Sequence, residues 1–142
     1  MLFSNILVPY DGSTLASASL DKAIQFAKLD PAVKITVIHV APVSPKPAHT
    51  PNDLYIRYKA AVEEDAFKVV ETVKTKLEEI PNSTEVMVKL GSPAYVILQY
   101  AKELECDCII MGSRGLSGFK EYLGSVSHTI TQQSPVPVLL MK

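Results

Sequence analysis

Four of the six glycines in this 142-residue chain, Gly112, Gly115, Gly118 and Gly124, fall within thirteen positions. Serines stand among and just after them at Ser113, Ser117, Ser125 and Ser127, with cations at Arg114 and Lys120. Glycine lets a backbone turn through positive φ and lets a ligand approach main-chain amides with no Cβ in the way. Gly124 and Ser125 lie at the start of the last helical segment, so they offer unpaired amides and the positive end of a helix dipole, both of which favour an anion such as phosphate. Ser113, Ser125 and Ser127 can add hydroxyl contacts, and Arg114 or Lys120 can offset phosphate charge. The same residues would also make a glycine-rich turn with a serine cap and solvated cations, so local chemistry leaves both readings open. A second loop, Pro9-Tyr10-Asp11-Gly12-Ser13, carries a carboxylate that repels phosphate but accepts hydrogen bonds from a hydroxyl or amino group, or forms the turn before Gly12.

Other chemistries find little support. His39, His49 and His128 show no metal-ligand spacing; they read as a satisfied strand residue, a solvated loop residue and a surface residue. Without a G-x-S-x-G elbow or a convincing base, no catalytic residue and no protein metal site is assigned. A P-loop and a G-x-G-x-x-G after the first strand are both missing, which argues against a P-loop phosphotransferase and a Rossmann dehydrogenase. Cys106 and Cys108 are too close for an ordinary structural disulfide and lack the second pair of a zinc site; they read as reduced thiols packed on one face of a strand. Glu63-Glu64-Asp65 reads as a solvated helix face.

The elements that must position these loops follow from periodicity. Apolar runs at Asn5 to Tyr10, Lys34 to Ala41 and Cys108 to Gly112 have the length and β-branched content of buried strands. Val136 to Met141 is a fourth, placed at a sheet edge or at its start by Pro137. Thr84 to Leu90 alternates, which suits a strand with one covered face or an edge position. Helical stripes run through Ala16, Leu20, Ala23, Ile24 and Ala27 after an N-cap at Ser13, and through Val62, Ala66, Val69, Val70, Val73 and Leu77 after Asn52 and Asp53. Ser92-Pro93 opens a third helix carrying Ile97, Tyr100, Ala101 and Leu104, and a fourth spans about Ser125 to Gln133, before Ser134-Pro135. Strict alternation of strand and helix predicts a doubly wound α/β fold: one five-stranded parallel sheet with helices on both faces and strand order 3-2-1-4-5. In such a sheet ligands bind outside the carboxyl ends of the strands, where the two loops above lie. Pro42 to Pro51, with four of the ten prolines, is a long loop that acts as a lid or merely a connection.

Composition agrees with one domain over residues 1–142. At 47% hydrophobic and 20% charged residues the chain is not disordered, and a domain of this length buries roughly 70% of its unfolded surface. A net charge of -1 gives no general pull toward nucleic acid or anionic membrane. No apolar stretch approaches the ~20 residues of a spanning helix, and the N-terminus MLFSNILVPYDGS lacks a basic signal region, so a cytoplasmic location is expected.

Together these marks resemble the universal stress protein family across the whole chain. They are Val8-Pro9-Tyr10-Asp11-Gly12-Ser13, His39-Val40, Gly91-Ser92-Pro93, Met111-Gly112-Ser113-Arg114-Gly115, Gly124-Ser125-Val126 and Pro135-Val136-Pro137-Val138-Leu139. The nucleotide-binding branch of that family carries G-x2-G-x9-G-[ST], which cradles the ribose and phosphates of ATP. Gly112, Gly115 and Gly124-Ser125 match it, but only eight residues, Leu116 to Leu123, separate Gly115 from Gly124. In a continuous helix the missing residue would turn the following amides by about 100°, whereas an irregular turn would absorb it. The resemblance implies ATP as ligand, with Mg or Mn through its phosphates. It implies contacts from Pro9, Asp11, Val40, Met111, Gly112, Arg114, Gly115, Gly124, Ser125 and Val126, with Asp11 toward adenosine and Val40 against adenine. It also implies a stress-response regulator whose nucleotide occupancy is the signal, and a homodimer joined through the C-terminal strand, with protein clients unnamed. Two rivals stand beside this reading: a non-nucleotide interaction protein of the same fold, and a slow ATPase or self-phosphorylating enzyme.

Overall fold

The computed structural model describes residues 2–115 and 123–142. Its elements run β1 Asn5–Pro9, α1 Thr14–Leu29, β2 Lys34–Ala41, α2 Asn52–Val69, α3 Glu71–Leu77, β3 Thr84–Leu90, α4 Pro93–Glu103, β4 Cys108–Gly112, α5 Ser125–Gln133 and β5 Val138–Met141. The five strands form one parallel sheet in the order β3-β2-β1-β4-β5. This is the doubly wound arrangement expected from the alternation of elements. The three strands with near-continuous apolar runs, β1, β2 and β4, occupy the centre, and the alternating β3 and the proline-led β5 take the edges. Pro137 stands just outside β5, where its carbonyl accepts from the Ile109 amide at 3.0 Å and its missing N–H costs the ladder nothing.

Strand alternation divides the core in two. Ile6, Val8, Ile35, Val37 and Ile110 face α1, α2 and α3, meeting Leu20, Ile24, Val70 and Val73. Leu7, Ile38, Val40, Ile109 and Met111 face the other way, against Ile97 and Ala101 of α4 and Ile130 of α5. The cysteines split between these clusters: Cys108 packs with the first and Cys106 with the second, so they do not share a strand face. The reason is the end of α4. Glu105 adopts φ 54°, and the Cys106 amide reaches back to the Ala101 carbonyl at 2.9 Å, a Schellman-type closure that seats Cys106 on α4 before β4 begins. Burial, with help from the Asp107 charge, pushes both thiols up to about 11, which makes them packing groups and not nucleophiles.

Two helix starts differ from expectation. The second helical stripe is interrupted at Val70, whose φ of -99° and ψ of 5° separate α2 from α3. Ala66, Val70, Val73 and Leu77 nevertheless remain on one buried stripe. The helix begins at Asn52 itself, with Pro51 in the capping position and no side-chain cap. Ser92 likewise holds the N-cap position of α4 without its side chain bonding the first turn; its carbonyl takes the Val96 amide at 3.0 Å. Among the described residues no helix is long and apolar enough to cross a membrane.

Candidate functional site

β1 ends at Pro9, and the next four residues are held by four short bonds. The Tyr10 amide donates to the Ile38 carbonyl at 2.9 Å, and Nδ1 of His39 lies 2.8 Å from the Tyr10 carbonyl. Asp11 Oδ1 accepts the Ser13 amide at 2.9 Å, closing an Asx turn over Gly12, whose φ of 83° is where a side chain would be strained. Ser13 then caps α1, its Oγ accepting from the Ala16 amide at 3.1 Å. Asp11 thus does form the turn, through one oxygen. Its other oxygen faces Gly115, where an added Cβ would stand 2.5 Å from Asp11 Oδ2.

The loop after β4 is organised around Ser113. Its amide donates to the Met141 carbonyl of β5 at 2.8 Å. Its carbonyl accepts both the Gly124 amide at 2.8 Å and the Ser127 hydroxyl at 2.6 Å. These bonds correct two expectations. The Gly124 amide is committed within the protein, so amides open to a ligand can begin only at Ser125; the Ser127 hydroxyl is buried in the same tie. Gly112, Gly115 and Gly124 also act by closeness and not by positive φ. Gly124 has φ -65°, and a Cβ on it would lie 3.2 Å from Arg114 Cα. A Cβ on Gly112 would meet Leu15 Cβ at 2.8 Å, so that glycine admits the first turn of α1. Gly118, Lys120 and all of the eight-residue spacer except Leu123 lie outside the described residues. The chain nonetheless returns with Gly124 beside Ser113, Arg114 and Gly115, in register with the cleft.

Between these loops, at the carboxyl ends of β1, β2 and β4, opens a cleft of about 630 Å³. All ten residues singled out in the sequence line it: Pro9 and Asp11 from the first loop, Val40 from β2, Met111 and Gly112 from β4, Arg114 and Gly115 beyond it, and Gly124, Ser125 and Val126 at the start of α5. The sequence did not nominate Tyr10, Ile38, His39, Pro93 and Ile97 for the site, although they also form its walls. Topology could have: β2 and the first turn of α4 reach the same sheet end as the two loops. Ile38, Val40, Ile97, Met111 and Pro93 line it with apolar groups, the first four from one packed cluster; Asp11, Ser13, Arg114 and Ser125 supply polar groups. Such a cleft can hold a flat ring by apolar contact, bond a hydroxyl or amino group through Asp11, and meet an anion with Arg114 and the first turn of α5. Gly124 carries no side chain to cap that turn. Of the histidines, His39 is buried and bonded, while His49 and His128 are exposed. Among the described residues no three His, Cys, Asp or Glu side chains converge as metal ligands.

Known proteins share this architecture. The chain is 35% identical over 149 residues to universal stress protein YxiE of Bacillus subtilis, covering 99% of this chain and 100% of that protein. Among solved structures, universal stress protein UspA from Lactobacillus plantarum is similar with a TM-score of 0.85 at 23% identity, covering 100% of this chain and 99% of the other. A universal stress protein family protein from Arabidopsis thaliana with AMP bound is similar with a TM-score of 0.71 at 21% identity, covering 98% and 91%. At those identities the two structures speak for the fold. The family model described as "Universal stress protein family" matches residues 2–142, and the chain belongs to that family.

Proposed function

We propose that the chain binds ATP in this cleft and that occupancy serves as a regulatory signal, in the cytoplasm and within the stress response. The observation that carries the reading is the convergence of two separate loops, Pro9 to Ser13 and Gly112 to Gly115 with Gly124 to Val126, on one cleft with an apolar wall and polar groups beside it. Val40 covers a face of the adenine, and Asp11 accepts from a ribose hydroxyl or the adenine amino group. Gly115 lets the ribose and phosphates approach the backbone, while Arg114, Ser125 and the α5 amides from Ser125 onward meet the phosphates. The Arabidopsis relative with AMP bound supports an adenine nucleotide in this family's fold. A Mg or Mn ion would arrive on the phosphates, since the described residues converge no carboxylate or histidine set on it.

The test is to denature the purified protein, identify released small molecules by mass spectrometry, and titrate the nucleotide-stripped protein with ATP by calorimetry. ATP or ADP released, with saturable heat on titration, is the expected result. Reproducible absence of both would favour a non-nucleotide interaction protein of the same fold. Turnover above background that is lost in an Arg114 variant would instead favour an enzyme.

A further inference from the structure

β1 and β2 are paired from Asn5 opposite Lys34 to Pro9 opposite Ile38, and the ladder takes one step more with the Tyr10 amide on the Ile38 carbonyl. Continued parallel pairing would bring a β2 backbone amide to the Tyr10 carbonyl. A side chain takes that place: His39 Nδ1 lies 2.8 Å from Tyr10 O. A carbonyl has no proton to give, so Nδ1 carries it, and in the neutral ring Nε2 is the unprotonated nitrogen. β2 itself continues paired with β3 to Ala41 opposite Leu90, so it is β1 that departs here. Both backbone groups of Tyr10 are therefore tied to β2, and the residue after Tyr10 is Asp11. His39 is 9% exposed and forms part of the cleft wall. Packing alone would be served by a β-branched residue such as Val37, two positions earlier on the same face.

The geometry points to His39 as a positioning residue of the cleft: its Nδ1–H holds the Tyr10 carbonyl and so fixes where Asp11 presents its carboxylate to Gly115 and to the ligand. The ligand half of this statement rests on the nucleotide reading; the loop half does not. The donor must stand at the distance of Nδ1 from the backbone, which asparagine reproduces with its amide nitrogen and glutamine, one carbon longer, does not.

The experiment compares the full-length parent with His39→Asn, His39→Gln and His39→Leu by two readouts. The first, without ligand, is hydrogen exchange at the Ser13 amide, which Asp11 accepts, referenced to the core amide of Ile110. Exchange at Ser13 should quicken about tenfold in the Gln and Leu variants and stay near the parent in the Asn variant, with Ile110 unchanged in all. The second is ATP titration in the Asp11 and Asp11→Ala backgrounds. His39→Leu should weaken ATP about tenfold when Asp11 is present and little when it is absent, a non-additivity that general damage to the fold would not produce. Equal Ser13 exchange in the Asn and Gln variants, or an ATP loss that persists in full without Asp11, overturns the proposal. Should His39→Leu fail to fold, the Asn and Gln pair decides. Should the parent not bind ATP, the nucleotide reading falls and Ser13 exchange still decides whether His39 positions the loop.

Discussion

Asp11 and Asp107 sit at opposite ends of the sheet, and each accepts backbone amides, yet their settings assign them different work. Among the described residues Asp11 bonds only the Ser13 amide, at 2.9 Å, and it turns its second oxygen toward the cleft. Asp11→Ala should therefore weaken ATP by roughly one to two decades in calorimetry, the ~1.5 to 3 kcal/mol of a charge-assisted hydrogen bond. Asp11→Asn keeps an oxygen for Ser13 and should melt like the parent; unchanged affinity in both variants would remove Asp11 from the site. Asp107 instead joins β1 to the start of β4, accepting the Ser4 amide at 2.8 Å, the Ser4 hydroxyl at 2.7 Å and the Asn5 amide at 3.0 Å. Burial works to raise its pKa, and the bonds from Ser4 and Asn5 outweigh it, so the carboxyl is held below its ordinary value. A depressed folded-state pKa contributes stability above the unfolded value of about 3.9 and loses it as pH falls through the folded value. Asp107→Asn should accordingly melt lower than the parent near pH 7, and the gap should narrow as the pH falls below the unfolded value of about 3.9 and on through the lower folded value. A gap that stays constant throughout that acid range would show that the charge is not what matters.

At the scale of elements, what the sequence made readable was what local periodicity controls. The bounds of β2, β3, β4 and α5 follow from β-branched runs and their flanking Gly, Ser and Pro. What escaped was set by tertiary contact. The opposed faces of Cys106 and Cys108 depend on how α4 closes at Glu105, the break at Val70 preserves a buried stripe that periodicity alone reads as one helix, and Ser92 leaves its capping bond unmade. The site was legible for a similar reason and to a similar extent: glycine and carboxylate types name the loops, but that the Gly124 amide and Ser127 hydroxyl are both taken by Ser113 is visible only in three dimensions. Gly124 shows how this changes a prediction. Its φ of -65° and ψ of 159° suit any residue, so valine there costs no backbone strain, but its Cβ would press on Arg114 Cα from 3.2 Å. Gly124→Val should keep its helical circular dichroism while wedging α5 away from the Arg114-Gly115 backbone, weakening ATP at least about tenfold, ~1.4 kcal/mol. A folded variant that binds ATP as tightly as the parent would place the nucleotide elsewhere.

For the whole molecule the two sheet edges are unequal. β3 is guarded by charge: Lys34 and Glu85 approach to 3.9 Å across the β2–β3 pair, and Lys89 stands over the Tyr100 ring. Charged side chains on an edge discourage pairing with another chain. β5 reads Val138-Leu139-Leu140-Met141, pairs with β4 alone among the described residues, and leaves Leu139 38% exposed. An unpaired apolar edge is a template for a second copy, and two copies meeting there about a twofold axis would cover the same strand on each. The strand is also bonded to the cleft, because the Ser113 amide that donates to Met141 belongs to the residue whose carbonyl receives Gly124 and Ser127. Whatever settles the loop after β4 therefore acts on the end of β5, and by linkage a nucleotide that changes dimer affinity must itself be bound differently by monomer and dimer. Sedimentation equilibrium at micromolar concentration should give twice the chain mass of 15.5 kDa. Leu139→Lys should give the single chain mass with unchanged circular dichroism, since a charge on an exposed edge position disturbs the partner and not the core. A parent that stays monomeric across the micromolar range, with or without ATP, would mean that the β5 edge is covered by something other than a second copy of this chain.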